Sequence, residues 1–257
     1  MISVNVAVAV PIRATRGDAW LGNSGMEGIM ISLYSGTPGS GKSLDVARTL
    51  YWSVRNGKQC ICNFPINTAR YKKYPDNFHF WDNSQLTPER LTEFAEEINQ
   101  KRGKVKENSI LLVIDECQLL FNSRDWGRKD RSSWLSFFTL HRHLGYEIIL
   151  VAQFDRMLDR QIRALIEYEY IHRKISNFGW KGFLISAFAG GKLFVAVKMW
   201  YPMKERVGSE FFRAKKFYYS LYDSYARFDR DRTSMGDDGG PARTAPEKLP
   251  ILDYSNT

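Results

Sequence analysis

The sequence predicts an α/β fold of three layers around a mostly parallel sheet, and three observations support it. Ile31–Ser35 is typical of a buried strand, a glycine-rich loop follows it, and residues 43–55 have the apolar spacing of a helix. Residues 109–114 and 147–152 form continuous apolar runs, as in parallel strands covered on both faces. Strands of this kind alternating with helices are typical of doubly wound α/β proteins.

The remaining elements follow from turn and cap residues. Thr87 and Pro88 begin a helix that we expect to reach residue 102, and Gly145 ends another. A C-terminal β-hairpin is predicted from two apolar stretches joined by Gly190 and Gly191. Further strands are predicted at residues 58–63, 78–82, 168–176, 181–188 and 192–200, and a helix at residues 155–166.

The loop after the first strand carries the central motif. It runs Gly36-Thr37-Pro38-Gly39-Ser40-Gly41-Lys42-Ser43 and matches the phosphate-loop pattern G-x-x-x-x-G-K-S/T at every fixed position. Glycines let backbone N–H groups close on phosphate oxygens, and the helix N-terminus favours an anion. Lys42 can reach the β- and γ-phosphates and the Ser43 hydroxyl can bind Mg²⁺, so ATP and Mg²⁺ are the predicted cofactors.

A second half of the site is predicted where later strands end. Asp115 and Glu116 follow the apolar run at residues 109–114, at the sheet edge where open α/β folds bind ligands. Asp115 can hold Mg²⁺, and Glu116 can orient and deprotonate the attacking water. Gln153 ends the next strand, where a polar side chain either senses the γ-phosphate or is simply solvated.

An arginine that reaches the γ-phosphate of a neighbouring subunit would complete such a site. We place Arg142 first, because it lies on the helix leading to the Gln153 strand; the alternative is a solvated basic face. The other candidates are Arg124, Arg128, Arg131, Arg156, Arg160 and Arg163. His141 and His143 point apart on a helix and form a poor metal pair.

Composition and chain ends bound the function less tightly. The chain has 257 residues, a formal net charge of +9 and a pI of about 9.4, which permits contact with nucleic acid or anionic lipid without requiring it. Cys60, Cys62 and Cys117 suit buried positions in a reducing compartment. We expect an irregular extension at residues 1–28 with translation starting at Met30 or Met26, an ATPase domain at residues 29–228, and a disordered polar tail at residues 229–257.

The segment at residues 211–222 mixes aromatic and basic side chains. Three interpretations stay open at this point. It could bind single-stranded nucleic acid by stacking, lie at a membrane surface, or pack on the protein core with its lysines in solvent.

Three motifs together resemble the N-terminal domain of the zonular occludens toxin (Zot) family, which includes assembly ATPases of filamentous phages. The motifs are residues 32–43, residues 112–118 and the run from His141 to Gln153. The resemblance implies a P-loop fold of the additional-strand type, related to FtsK/HerA-type DNA pumps. It carries Lys42, Ser43, Asp115, Glu116 and Gln153 over as nucleotide-site residues.

The resemblance also implies a function. We expect an ATP-hydrolysing motor for assembly and export of filamentous virions, working as a homo-oligomeric ring in the host bacterial cytoplasm or on the cytoplasmic face of the inner membrane. Phage coat or assembly proteins are the expected partners, with single-stranded DNA a further candidate. Many relatives have a membrane-spanning helix after this domain, whereas this chain ends in a polar tail. We therefore expect either no membrane attachment or attachment that a partner supplies.

Two other functions are consistent with the same residues. A DNA-translocating or packaging ATPase of the FtsK/HerA kind would act directly on nucleic acid. A nucleotide-dependent switch with little turnover would need no catalytic base, and Glu116 argues against it.

Overall fold

The described residues form one eight-stranded sheet with helices on both faces. The structure is a computed structural model and describes residues 30–67, 71, 75–124, 129–178, 180 and 192–222. The strands are β1 (Ile31–Ser35), β2 (Gln59–Cys62), β3 (Phe78–Phe80), β4 (Ile110–Ile114), β5 (Tyr146–Val151), β6 (Tyr168–Lys174), β7 (Leu193–Trp200) and β8 (Glu205–Arg213). The helices are α1 (Lys42–Arg55), α2 (Pro88–Arg102), α3 (Arg131–Leu144), α4 (Arg160–Arg163) and α5 (Lys216–Tyr219).

The strand order is β3-β2-β4-β5-β1-β6-β7-β8. The six strands from β3 to β6 pair in parallel, and β7 and β8 add an antiparallel hairpin at one side. β5 lies between the strand that precedes the phosphate loop and the strand that precedes Asp115. This inserted strand is the additional strand that the resemblance implied.

The sheet separates two apolar layers, which confirms the predicted three-layer sandwich. Residues of β4 alternate between them: Ile110, Leu112 and Ile114 pack with α2 and α3, whereas Leu111 and Val113 pack with α1. Trp134 and Phe138 of α3 are almost fully buried in the first layer. Since both faces are covered, β4 is apolar at all five positions, as its sequence indicated.

The C-terminal part departs from the sequence prediction in two places. The hairpin exists, but it consists of β7 and β8, so residues 192–200 form its first strand. The predicted strand at residues 181–188 lies outside the described residues. The long helix predicted at residues 155–166 is wrong. Leu158 is extended, and the Asp159 carboxylate accepts hydrogen bonds from Gln161 N at 2.8 Å and Ile162 N at 3.4 Å, so a new short helix starts there.

The chain ends fall outside the described range. The predicted extension at residues 1–28 and the predicted tail at residues 229–257 are not among the described residues, so both stay predictions. Within the described part of the chain, none of the helices combines the length and apolarity needed to cross a bilayer.

Candidate nucleotide site

The phosphate loop joins β1 to α1 at the carboxyl edge of the parallel strands. Its first glycine, Gly36, has a φ of +140° and donates its N–H to the Gln153 carbonyl at 3.1 Å. A Cβ at Gly36 would lie 2.5 Å from the backbone oxygen of His172 on β6. Gly41 has a φ of +101°, and a Cβ there would lie 2.7 Å from the Phe194 ring on β7. Both positions therefore require glycine for conformation and for space.

Lys42 lies inside this loop. Its ammonium donates hydrogen bonds to the carbonyls of Gly36 and, at 3.3 Å, Thr37. Burial lowers the pKa of Lys42, and the negative charges of Glu116 and Asp115 partly offset that effect. β5 pairs in parallel with both β1 and β4, so the phosphate loop and the Asp115–Glu116 turn follow strands that end at the same sheet edge. The two halves of the predicted site meet at this edge.

Asp115 is held in place by a neighbouring strand end. Asn63, just beyond β2, is buried; its side chain accepts from Asp115 N at 2.7 Å and donates to Asp115 O at 2.9 Å. One oxygen of the Asp115 carboxylate accepts from Glu116 N at 2.9 Å, and the other accepts from the Tyr222 hydroxyl. The carboxylate is therefore fixed by backbone and side-chain donors rather than left to rotate.

Glu116 has a backbone conformation that is unusual for its residue type. Its φ of +46° and ψ of +45° are left-handed, a region that residues other than glycine rarely adopt and that occurs at functional sites. The Gln118 side chain, which is buried, donates to the Glu116 carboxylate. The turn thus presents a partly exposed carboxylate whose orientation is set by Gln118.

The start of the loop borders an open cavity of about 460 Å³. Ser35, Gly36, Thr37 and Gln153 contribute to its wall, so Gln153 lies beside the phosphate loop as predicted from its strand end. Thr37, Pro38 and Gly39 are exposed, and Ser43 lies in the first turn of α1.

Two buried groups behind the loop hold α1 against β6. Asp45, in the first turn of α1, accepts a hydrogen bond from the His172 ring at 3.0 Å and pairs with Arg48 at 2.9 Å. Burial alone would raise the pKa of Asp45, but the hydrogen bond and charge of His172, together with Arg48, hold it below its ordinary value. Arg48 also forms an ion pair with Glu210 of β8, with a nitrogen–oxygen distance of 2.6 Å. His172 therefore touches both ends of the loop, through its carbonyl at Gly36 and its ring at Asp45.

Arg142 is the predicted residue that does not join this site. It lies in the last turn of α3 and pairs with Glu167. Glu167 N donates to Ile31 O at 3.0 Å, at the start of β1. Arg142 therefore lies at the sheet edge opposite the phosphate loop of its own chain.

The residues present fit a bound nucleotide and a divalent cation. The Ser40 hydroxyl is buried and has no hydrogen-bond partner within the described parts of the chain, which suits an added acceptor such as a phosphate oxygen. Asp115 offers a carboxylate and Ser43 a hydroxyl, the oxygen ligands that Mg²⁺ prefers. No group of three or more His, Cys, Asp or Glu side chains that could hold a metal ion occurs among the described residues.

The decisive comparison is with protein families. The family model described as zonular occludens toxin (Zot) matches residues 30–228. The chain belongs to this family. The resemblance stated from its motifs is thereby confirmed.

Curated relatives of this Zot-family chain come from filamentous phages. The gene 1 protein of Enterobacteria phage I2-2 is 32% identical over 147 residues, which cover 56% of this chain and 39% of the relative. The gene 1 protein of Escherichia phage If1 is 28% identical over 173 residues, or 63% and 47% of the two chains. The Zot-family chain thus spans less than half the length of these relatives.

A solved structure shares the fold. This structure, described as an ATPase domain, aligns with a TM-score of 0.50 at 10% identity, over 76% of this chain and 84% of that domain. The N-terminal domain of zonular occludens toxin from Neisseria meningitidis aligns at 19% identity with a TM-score of 0.46, over 76% and 100% of the two chains. With the strand order above, the first of these likenesses confirms the predicted P-loop ATPase fold.

Sequence reasoning missed several residues that shape this site, namely Asn63, Gln118, His172, Phe194 and Tyr222. Asn63 had a usable signal, since a polar residue ends a strand next to the Asp115 strand. Gln118 lay within the family motif, but its contact with Glu116 depends on the left-handed turn. His172 lies on β6, Phe194 on β7, and Tyr222 follows α5. No feature of the local sequence indicates that these three residues contact the nucleotide site.

Proposed function

We propose that this chain is the ATP-hydrolysing motor for assembly and export of filamentous phage virions at the inner membrane of the bacterial host. The observation that carries the proposal is the position of Lys42, Asp115 and Glu116 after strands that end at one sheet edge, in a member of the Zot family. Gene 1 proteins of filamentous phages are among its relatives, which supports a role in the same process.

The phosphate loop and strand ends divide the binding work. Backbone N–H groups of the loop and the Lys42 ammonium would bind the β- and γ-phosphates, once Lys42 leaves the Gly36 and Thr37 carbonyls. Ser43 and Asp115 would hold Mg²⁺. Bound Mg²⁺ supplies charge neutralisation at the phosphate oxygens.

Glu116 is the proposed base. Its carboxylate would orient the attacking water and accept its proton, while the hydrogen bond from Gln118 restrains the carboxylate. Gln153 would respond to the γ-phosphate, because its backbone already contacts Gly36. Together these residues would distinguish ATP from ADP and pass that difference to the end of β5.

Arg142 would act between subunits. At the edge opposite its own phosphate loop, it can only reach a nucleotide held by a neighbouring copy, which is consistent with a homo-oligomeric ring. To do so it would have to leave Glu167. A phage coat or assembly protein would be its partner at the cytoplasmic face of the inner membrane.

The test uses two substitutions with different expected outcomes. Lys42→Ala should lose nucleotide binding, and Glu116→Gln should bind ATP but hydrolyse it at least about 100-fold more slowly, because proton transfer contributes factors of this size. Binding is measured with a fluorescent nucleotide and turnover by phosphate release. Normal turnover in Glu116→Gln would show that Glu116 is not the base.

Two further measurements separate the motor from its alternatives. Specific ATPase activity should rise steeply with protein concentration and lose that rise in Arg142→Ala, although this variant still binds ATP. Stimulation by coat protein or membrane would favour virion assembly. Stimulation that grows with the length of single-stranded DNA would favour a DNA-translocating ATPase of the FtsK/HerA kind.

A further inference from the structure

The segment after β8 crosses the helix of the phosphate loop. We call residues 214–222 the strap. Ala214 N donates to Lys192 O at 2.9 Å, and α5 then places the Phe217 ring 4.9 Å from the ring of Tyr51 on α1. The Tyr218 hydroxyl accepts a hydrogen bond from the indole of Trp52 at 3.2 Å. Of the three interpretations left open for this segment, packing on the core fits these contacts.

The strap ends at the nucleotide site. Leu221 O accepts from Asn67 N at 2.8 Å, and Tyr222 forms a bridge with Ile66. The Tyr222 ring packs edge-on against Phe64 with centroids 4.7 Å apart. Its hydroxyl donates to the Asp115 carboxylate. A residue far from the phosphate loop in sequence thus contacts the acid that would hold Mg²⁺.

Two features make this contact more than incidental packing. Asp115 is buried, with only 8% of its surface exposed, so its carboxylate is oriented by protein groups such as Tyr222 more than by solvent. The Phe64 contact and the bridge at Ile66 fix the ring, so the hydroxyl is held in position before any ligand arrives. A carboxylate oxygen has two acceptor sites, so it can accept from Tyr222 and still bind a cation.

We propose that Tyr222 is a positioning residue for the metal-holding carboxylate, and that it links the strap to the metal state of the nucleotide site. The proposal rests on the proposed function, since it assumes that Asp115 holds the cation. Hydrogen-bond partners of metal-binding carboxylates fix their orientation, and losing such a partner typically lowers metal affinity by about 10- to 100-fold.

The test removes one hydroxyl and compares it with a matched one. Tyr222→Phe keeps the ring on Phe64 but loses the bond to Asp115, whereas Tyr218→Phe loses a hydroxyl from the same strap that bonds Trp52. Mn²⁺ binding is followed by electron paramagnetic resonance with ADP present. We expect the Mn²⁺ dissociation constant to rise by about 10-fold in Tyr222→Phe and to stay unchanged in Tyr218→Phe. ADP binding in a chelator should be equal in all three proteins.

A double-mutant cycle and hydrogen exchange remove the simple structural explanation. If Tyr222 acts through Asp115, Tyr222→Phe should cause no further loss of Mn²⁺ affinity in an Asp115→Asn background. Amide exchange in residues 214–222 should slow when Mn²⁺ joins ADP in the wild type, but not in Tyr222→Phe. If Tyr222 were only structural, Tyr222→Phe would lower Mn²⁺ affinity equally with and without Asp115→Asn. Adding Mn²⁺ would then not change amide exchange in the strap.

The outcomes divide cleanly. Unchanged or tighter Mn²⁺ binding in Tyr222→Phe overturns the inference; tighter binding would mean that the hydroxyl competes with the cation. If the wild type binds ADP with Mn²⁺ but Tyr222→Phe behaves like Tyr218→Phe, the inference fails while the proposed function stands. If the wild type binds no Mn²⁺ with ADP, both fail.

Discussion

The phosphate loop and the supporting layer behind it, strands β6, β7 and β8, differ in how the sequence specifies them. The loop is written in eight consecutive residues whose glycines, lysine and serine predict both shape and chemistry. The supporting layer, formed by β6, β7 and β8, carries no motif, yet His172 and Phe194 lie against the two glycines that the loop cannot replace. Local sequence therefore specifies what the loop does, and distant sequence specifies where it is held.

The largest expected effect tests the buried link between the two regions. Asp45→Asn should lower the free energy of unfolding by about 3 kcal/mol, because it removes a buried carboxylate that pairs with Arg48 and is hydrogen-bonded to the His172 ring. Urea unfolding gives the value. Nucleotide affinity should fall as well, since Asp45 lies in the first turn after the loop. A loss of stability without a loss of affinity would show that the layer supports the fold but not the site.

The same link predicts a dependence on pH. The pKa of Asp45 is lower in the folded protein than its ordinary value of 3.8, so its contribution is fully present above that value and is lost as the pH falls through the folded pKa. The difference in unfolding free energy between wild type and Asp45→Asn should therefore be constant near neutral pH and shrink below about pH 4. A difference that grew on acidification would contradict the assigned sign.

Sequence alone was enough for the parts whose information is local. β1, α1, α2, β4 and β5 lie within a residue or two of their predicted ends, because apolar runs, caps and glycines mark them. β8 was missed since Glu205–Arg213 mixes charges with Gly208 on an edge strand that solvent reaches. The predicted helix at residues 155–166 failed at Asp159, whose side chain caps a new helix.

The site divides along the same boundary. Strand-end positions predicted Asp115, Glu116 and Gln153 at the correct edge, because parallel strands end together. The contacts of Asp115 with Asn63 and Tyr222 depend on which strands and segments become neighbours, and a single sequence does not specify that. Arg142 shows the converse: the end of its helix at Gly145 was predicted correctly, but only the topology reveals that Arg142 lies at the sheet edge opposite its own loop.

The next effect separates space from conformation at the first glycine. Gly36→Ala should cost about 2 kcal/mol, since a Cβ would meet the His172 carbonyl at 2.5 Å and the φ is positive. Gly103→Ala is the matched control, with a φ of +71° and nothing within 4 Å of the added Cβ. It should cost about 1 kcal/mol. Equal costs in urea unfolding would mean that His172 does not restrict the loop.

A smaller coupling is expected at the second glycine. Gly41→Ala places its Cβ 2.7 Å from the Phe194 ring, which is buried and stacks on Phe212. Phe194→Leu makes room, so the double variant should be about 1 kcal/mol more stable than the sum of the single changes predicts. Gly41→Ala should also weaken nucleotide binding. Phe194→Leu should restore that binding only in part, because the positive φ of Gly41 still disfavours alanine. Strict additivity would show that the ring and the loop are independent.

The smallest effect lies at the outer end of the same charge network. Glu210 pairs with Arg48 at 2.6 Å, but its side chain is 45% exposed, whereas Asp45 at the inner end is 3% exposed. Glu210→Gln should therefore cost no more than about 0.5 kcal/mol, because exposed ion pairs contribute little. Nucleotide affinity should not change. If Glu210→Gln lowered the free energy of unfolding as much as Asp45→Asn, the exposed ion pair on β8 would stabilise the loop as much as the buried contact between Asp45 and His172.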